Sequence, residues 1–419
     1  MNMAISTGRI RTRRSFFRLA LGLPAGAWYS RFEAIAAPDR AKVKIVDIRA
    51  MNPGRAGTSL LKIVTDAGLT GYGEASASGP MLRARIEEMK PLLIGQDPLA
   101  IEFHFHRLTG MIHPHLPHIP SVGAIDIALW DLAGKILNRP VYQLLGGPFR
   151  KAIPMYSHGH VKNLLDRGEW KAFYDHAKAA PEGFTIYKQG FGNLMPSPAE
   201  GASWPVNFTQ DHVKKIARGF EIAREIFGES IRIAVHAHNE FDTPTAIDLG
   251  KRIEPLDPPF YEDPLAVPYS ESWVALKRAC RVPLLVGEKL ELFSGFKPFL
   301  ETQTADILHP DLVYAGGITG TRRIANFASH YRIPVALHNV GHLVNTLAAA
   351  HFGCAIQNFY RSESRLGEGD RPVERQAAGE KPLVRNGELA VPERAGLGVE
   401  LNPDELKRAK HPDEPWWGD

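Results

Sequence analysis

The sequence predicts an α/β barrel with a smaller α+β domain ahead of it. Three observations carry this: short apolar runs that each end in an ionisable residue, an even spacing of those residues, and helix-length stretches between them. The runs are 185–188, 233–238, 259–263, 284–288, 306–311, 335–338 and 359–363. Lys188 and His236 are 48 residues apart, and the steps onward to Glu262, Glu288, Asp311, His338 and Glu363 are 26, 26, 23, 27 and 25. A strand, a loop and a helix fit such a step, so β and α units alternate and the sheet is parallel. An inserted loop over 193–207 accounts for the long first step. With one more strand near 152–156 the units close a (β/α)8 barrel over 151–390, whose active site lies at the C-terminal strand ends.

Residues 40–150 read as a separate α+β domain. Residues 43–48 and 59–64 alternate as strands, and Asp66-Ala67-Gly68 is turn chemistry before Gly71-Tyr72-Gly73-Glu74. Residues 80–147 read as helical, with a mostly apolar helix capped by Ser121 over 121–132. The histidines at 104, 106, 113, 115 and 118 suggest a polar loop rather than a second metal site.

Charge is concentrated in the leader. Residues 1–37 hold six arginines (9, 11, 13, 14, 18 and 31) against Glu33, so the remaining chain is close to neutral and offers no basic patch for nucleic acid. Arg13-Arg14, a mild apolar run to Trp28 and the small residues Ala34-Ile35-Ala36 form a twin-arginine type of signal, which implies a periplasmic protein. No run of about 18 apolar residues argues for stable membrane insertion. Cys280 and Cys354 are expected to be free and buried.

Seven ionisable strand ends should converge on one pocket. Glu262 and Glu288 lie on adjacent strand ends, where like charges call for a cation. Their hard oxygens favour magnesium or manganese, while His236 on the preceding strand adds a nitrogen that tilts the choice toward manganese, zinc or iron. The alternative is that Lys289 and Lys188 neutralise the two carboxylates as salt bridges. Asp311 and His338 suit an oriented general base. Lys188 and His238 can act as acid, base or clamp on a substrate carboxylate, and Glu363 can hydrogen-bond a developing enolate oxygen. The chemistry suggested is proton abstraction α to a carboxylate.

The motifs Thr65–Glu74, Ile125-Asp126-Ile127-Ala128-Leu129-Trp130-Asp131, Glu262-Asp263-Pro264, Gly287-Glu288, Pro310-Asp311-Leu312 and Ala315-Gly316-Gly317-Ile318-Thr319 resemble the enolase superfamily, in its mandelate racemase and muconate-lactonising branch. The resemblance implies a modified (β/α)8 TIM barrel with an N-terminal α+β capping domain, residues 391–419 packing back on that domain, one divalent metal ion (magnesium in the family) and a homo-oligomer. It makes Glu262 and Glu288 metal ligands, puts His236 in the place of the usual aspartate ligand, and makes Asp311 and His338 the His–Asp dyad. Lys188 matches the second lysine of the family's Lys-x-Lys motif, with Ile186 where the first should be. His238 resembles the arrangement in galactonate-type acid-sugar dehydratases, which convert a 2,3-dihydroxy acid to a 2-keto-3-deoxy acid. The expected partner is therefore a small carboxylate, an acid sugar. Racemisation of a 2-hydroxy acid by Lys188 and His338, or carboxylate binding without catalysis, are the alternatives.

Overall fold

The computed structural model describes residues 43–54, 58–110, 117–196, 208–365, 383–410 and 412–418. The leader lies outside them, as do His113, His115 and most of the inserted loop at 193–207.

The N-terminal domain is an antiparallel meander of β1 (Ile45–Met51), β2 (Ser59–Thr65) and β3 (Thr70–Ala75), covered by α1 (Gly79–Leu93), α2 (Ile101–Thr109) and α3 (Ile119–Ile136). Leu61, Ile63, Leu82, Ile86, Ile125 and Leu129 form its own core. Helix α3 is apolar nearly all round because it is buried on two sides, by β3 and by the barrel. It starts two residues earlier than expected. His118 is the N-cap, and Ser121 lies within the first turn, 2.8 Å from the His118 ring, so serine does not cap this helix. His104 and His106 are helical residues of α2 rather than loop residues, and His104 is buried against the Asp97 carbonyl at 2.8 Å. A short helix α4 (Val141–Leu144) leads to the barrel.

The barrel strands are β4 (Ala152–His158), β5 (Ile186–Gln189), β6 (Arg232–His236), β7 (Tyr261–Glu262), β8 (Leu284–Val286), β9 (Ile307–Leu308), β10 (Val335–Leu337) and β11 (Phe359–Glu363). They pair in parallel in that order, and β11 closes on β4 through Ser362–Met155 and Glu363–Tyr156. Between them run α5 (Arg167–Ala179), α6 (Gln210–Phe227), α7 (Thr243–Ile253), α8 (Glu271–Ala279), α9 (Leu292–Glu301), α10 (Gly317–His330) and α11 (Leu343–Ala355). Among the described residues the last strand has no helix of its own. A hairpin, β12 (Val384–Arg385) and β13 (Glu388–Ala390), pairs antiparallel with β4 instead, and α12 (Pro403–Ala409) follows. This is the predicted barrel in its modified form.

Inside the barrel, one side chain from almost every strand builds an apolar floor: Tyr156, Ile186, Ala234, Phe260, Leu285, Ile307 and Ala336. Strand side chains alternate with a period of two. The residues two places on are therefore the next inward layer, toward the C-terminal strand ends: His158, Lys188, His236, Glu262, His309 and His338. On β8 the pattern breaks at Gly287, whose φ of +140° favours glycine and whose added Cβ would meet Phe296 at 2.5 Å; Glu288 takes the inward place.

The N-terminal domain is fastened over this end by carboxylates. Asp126 accepts from the backbone N–H of Thr319 at 3.0 Å, in the first turn of α10, where any Cβ on Gly317 would collide with it. Glu74 does the same at the start of α11. Asp131 accepts from Tyr72 and Leu397, and Glu414 accepts from the Asn52 N–H at 2.9 Å, which ties the C-terminal segment to the N-terminal domain. Cys280 and Cys354 are buried and free. Among the described residues no helix is long and apolar enough to cross a membrane.

Candidate active site

Seven of the eight side chains singled out from the sequence meet at the strand ends. Lys188 is fully buried and donates to Glu262 Oε1 at 3.0 Å and Glu363 Oε2 at 3.1 Å. His236 Nδ1 lies 2.9 Å from Glu262 Oε2, yet neither atom makes a hydrogen bond among the described residues. Glu288 approaches His338 Nε2 at 3.4 Å and Lys289 at 3.8 Å. Asp311 Oδ2 is 2.8 Å from His338 Nδ1 and its other oxygen accepts from the Val313 N–H at 2.7 Å, so both ring orientation and carboxylate are fixed. His238 stands apart. Its side chain is 52% exposed, its ring packs edge-on against His236 at 4.0 Å, and its own carboxylate partner is Glu240.

The salt-bridge alternative is thus present in the geometry: Lys188 neutralises Glu262, and Lys289 sits near Glu288. It does not exhaust the charge. Glu262, Glu288, Asp311 and Glu363 face two cationic groups, the buried Lys188 and the partly buried His338. Burial pulls the Lys188 pKa down, but Glu262, Glu363 and Glu288 outweigh it and hold the amine protonated. For His338 burial again pulls down, and Glu363, the Asp311 hydrogen bond and Glu288 raise its pKa to about 9. Burial also forces Asp263 well above the carboxylate range, helped by Glu288 and Glu262. Glu363 stays ionised: burial raises its pKa, but Lys188, His338 and His158 hold it well below the usual range. It accepts from Lys188 and Tyr156 and contacts His158, so both of its oxygens are held in place.

Three further residues join the cluster that are not among the strand-end side chains singled out from the sequence. His158 contacts Glu363 Oε1, Tyr156 donates to Glu363 Oε2 at 3.3 Å, and His309 lies 2.7 Å from the Tyr156 hydroxyl and 3.5 Å from Glu262 Oε1. The period of two along β9 is the signal that finds His309, because it puts the first inward polar residue at 309 and not at 311.

The residues fit a divalent cation. Glu262, Glu288 and His309 can bring one ligand atom each within 4.8 Å of one another, and Glu262 Oε2 and the Nδ1 atoms of His236 and His309 lack hydrogen bonds among the described residues. Mixed oxygen and nitrogen donors suit such an ion.

Residues 33–146 match the mandelate racemase / muconate lactonizing enzyme N-terminal domain, and residues 172–405 match the enolase C-terminal domain-like family. The chain belongs to the mandelate racemase/muconate lactonizing enzyme family of the enolase superfamily. Relatives within it include a D-xylonate dehydratase of Haloferax volcanii, 31% identical over 87% of this chain and 88% of its own length. A D-galactonate dehydratase family member of Streptomyces bingchenggensis is 31% identical over 88% and 93%. An enolase from Agrobacterium radiobacter, solved with sodium and L-malate bound, superposes with a TM-score of 0.76 at 30% identity over 88% and 95%. Family members bind a divalent metal, consistent with the carboxylate cluster described above.

Proposed function

We propose that this enzyme is a metal-assisted acid-sugar dehydratase, taking the proton α to a carboxylate and expelling the C3 hydroxyl to leave a 2-keto-3-deoxy acid. The observation that carries the reading is the oriented pair Asp311–His338, with His338 Nε2 facing Glu288 beside the paired carboxylates. His338 Nε2 is the proton acceptor and Asp311 holds its tautomer. At neutral pH the nearby carboxylates keep His338 protonated, so neutralising Glu288 and Glu262 is what frees the nitrogen to act. Glu262, Glu288 and a histidine nitrogen would hold a divalent ion there, which would supply that charge as a Lewis acid beside the substrate carboxylate; magnesium is the family's ion, and the nitrogen donors favour manganese, zinc or iron. Lys188 contributes positive charge toward the substrate carboxylate. His238, partly exposed at the mouth, is the acid available to the departing hydroxide.

Lys188 is the group on which racemisation would turn. Opposite-face proton exchange needs a second base, and Lys188, paired with Glu262 and Glu363, serves as one only if the charge that frees His338 also releases its own proton. Screening acid sugars for semicarbazide-reactive product tests the proposal. Keto-acid release from an aldonate is expected; solvent deuterium entering C2 without keto acid would support the racemase, and inert binding of the library would support a non-catalytic carboxylate binder. Export by the twin-arginine route is part of the same proposal. Protein from a periplasmic fraction should begin just after Ala36, and full-length protein confined to the cytosol would overturn it. A homo-oligomer is expected by family, with light scattering as the check.

A further inference from the structure

We infer that His309, through Nδ1, is the nitrogen ligand of the metal cage, in place of the His236 that occupies the family's ligand position. The inference rests on the metal-assisted reading above and concerns which residues of this chain make the site.

Hydrogen-bond arithmetic supports it. A carboxylate only accepts, so the contact between Tyr156 and Glu363 Oε2 uses the single proton of the phenol. The 2.7 Å contact between Tyr156 and His309 Nε2 must then run the other way, with the imidazole N–H donating to the phenol oxygen. That leaves Nδ1 of His309 with a bare lone pair. The ring is fully buried, Nδ1 makes no hydrogen bond among the described residues, and Glu262 Oε1 lies 3.5 Å from it. Two electron-rich atoms facing each other in a buried space repel unless a cation lies between them.

The relay has the form that fixes a metal-bound imidazole: the far ring nitrogen donates to an oxygen, and that oxygen is itself anchored to a carboxylate. Geometry then separates the two histidines. Among the described residues the one group whose ligand atoms come within 4.8 Å of one another is Glu262, Glu288 and His309, which leaves out His236. The His236 ring packs against His238 at 4.0 Å and lies 6.5 Å from His158. His309 comes instead from the far side, stacked edge-on against His338 at 5.5 Å. The nitrogen ligand has thus moved from the strand before Glu262 to the strand after Glu288. Lys188 offers the competing explanation, because two of its three protons are placed on Glu262 and Glu363 and the third could meet Nδ1.

The experiment uses the full chain loaded with Mn(II) and reads nitrogen coupling by pulsed EPR, with Mn(II) affinity measured by calorimetry. Wild type should show one directly bound imidazole nitrogen, His309→Gln should lose it together with at least about tenfold in affinity, and His236→Gln should keep it. Should His309→Gln fail to fold, Tyr156→Phe is the second variant. It removes the relay but not the ligand, so the coupling should persist while affinity falls by about tenfold. Coupling that survives in His309→Gln and disappears in His236→Gln would overturn the assignment and leave the metal-assisted reading standing, as would unchanged affinity in Tyr156→Phe. A wild type that binds no Mn(II) would overturn both.

Discussion

Glu74, the penultimate residue of the last N-terminal strand, accepts from the backbone N–H of Asn345 at 3.1 Å and, through its other oxygen, from that of His342. Those are the N-cap and third positions of α11, so a carboxylate from one domain closes the positive end of a helix in the other. The segment so held begins at His338. Glu74→Ala leaves two buried N–H groups unpaired and should lower unfolding free energy by about 2–4 kcal/mol. Glu74→Gln restores one acceptor and should recover part of it. Denaturant melts give both values, and a Glu74→Ala protein of native stability would show that the contact is dispensable.

Asp311 should matter to turnover far more than to folding. Its carboxylate orients His338 and stabilises the protonated ring, and an amide in the same place does neither well. Asp311→Asn is expected to lower kcat on the order of 10²–10³-fold while the circular dichroism spectrum is unchanged. Steady-state keto-acid release measures this, and a loss below threefold would remove Asp311 from the mechanism.

Stability should fall with pH through Asp126. Burial raises its pKa from 3.8 to about 7, against the hydrogen bonds from Thr319 and the N-terminus of α10, which lower it. A pKa raised on folding means that the folded state holds the proton more tightly, so its stabilising effect is full below the unfolded value and is lost as pH rises through the folded one. Between about pH 5 and pH 8 the wild type should therefore lose roughly 3 kcal/mol relative to Asp126→Asn, whose amide does not titrate. Paired urea melts at the two pH values check it, and a constant difference would put the carboxyl back near its ordinary pKa.

The barrel is legible in the sequence because each strand is apolar, short and closed by a polar residue, and the steps between those residues are set by the length of one βα unit. Glu262, Glu288 and His338 are legible for the same reason, since they are the polar ends themselves. His309 is not, because Pro310-Asp311 follows it and draws the eye two residues too far; the side-chain alternation that settles the matter depends on where β9 starts. His158 and Tyr156 are hidden differently. They lie on the first strand and meet Glu363 only because the sheet closes on itself, a contact between residues 205 and 207 positions apart that no local pattern encodes. Ser121 misled because a helix buried on both sides needs no polar cap at its first apolar residue, and it extends back to Ile119.

Lys188 ties the electrostatics of the site to its stability. Its ammonium is buried between Glu262 and Glu363, and replacing it with the similarly long but neutral methionine leaves both carboxylates without their shared cation. Breaking a buried ion pair by removing one partner costs about 3–5 kcal/mol, so Lys188→Met should be destabilised by that order in chelator. A divalent ion bound beside Glu262 then replaces part of the missing charge. Because a ligand that binds only the folded state stabilises it in proportion to the logarithm of its concentration over Kd, saturating Mn(II) should raise the Tm of Lys188→Met by more than it raises that of wild type. Thermal melts of both proteins with chelator and with Mn(II) measure the two shifts. Equal shifts would mean that Lys188 and the ion do not share Glu262, and a smaller shift in the variant would mean that Lys188 helps to build the metal site rather than compete for it.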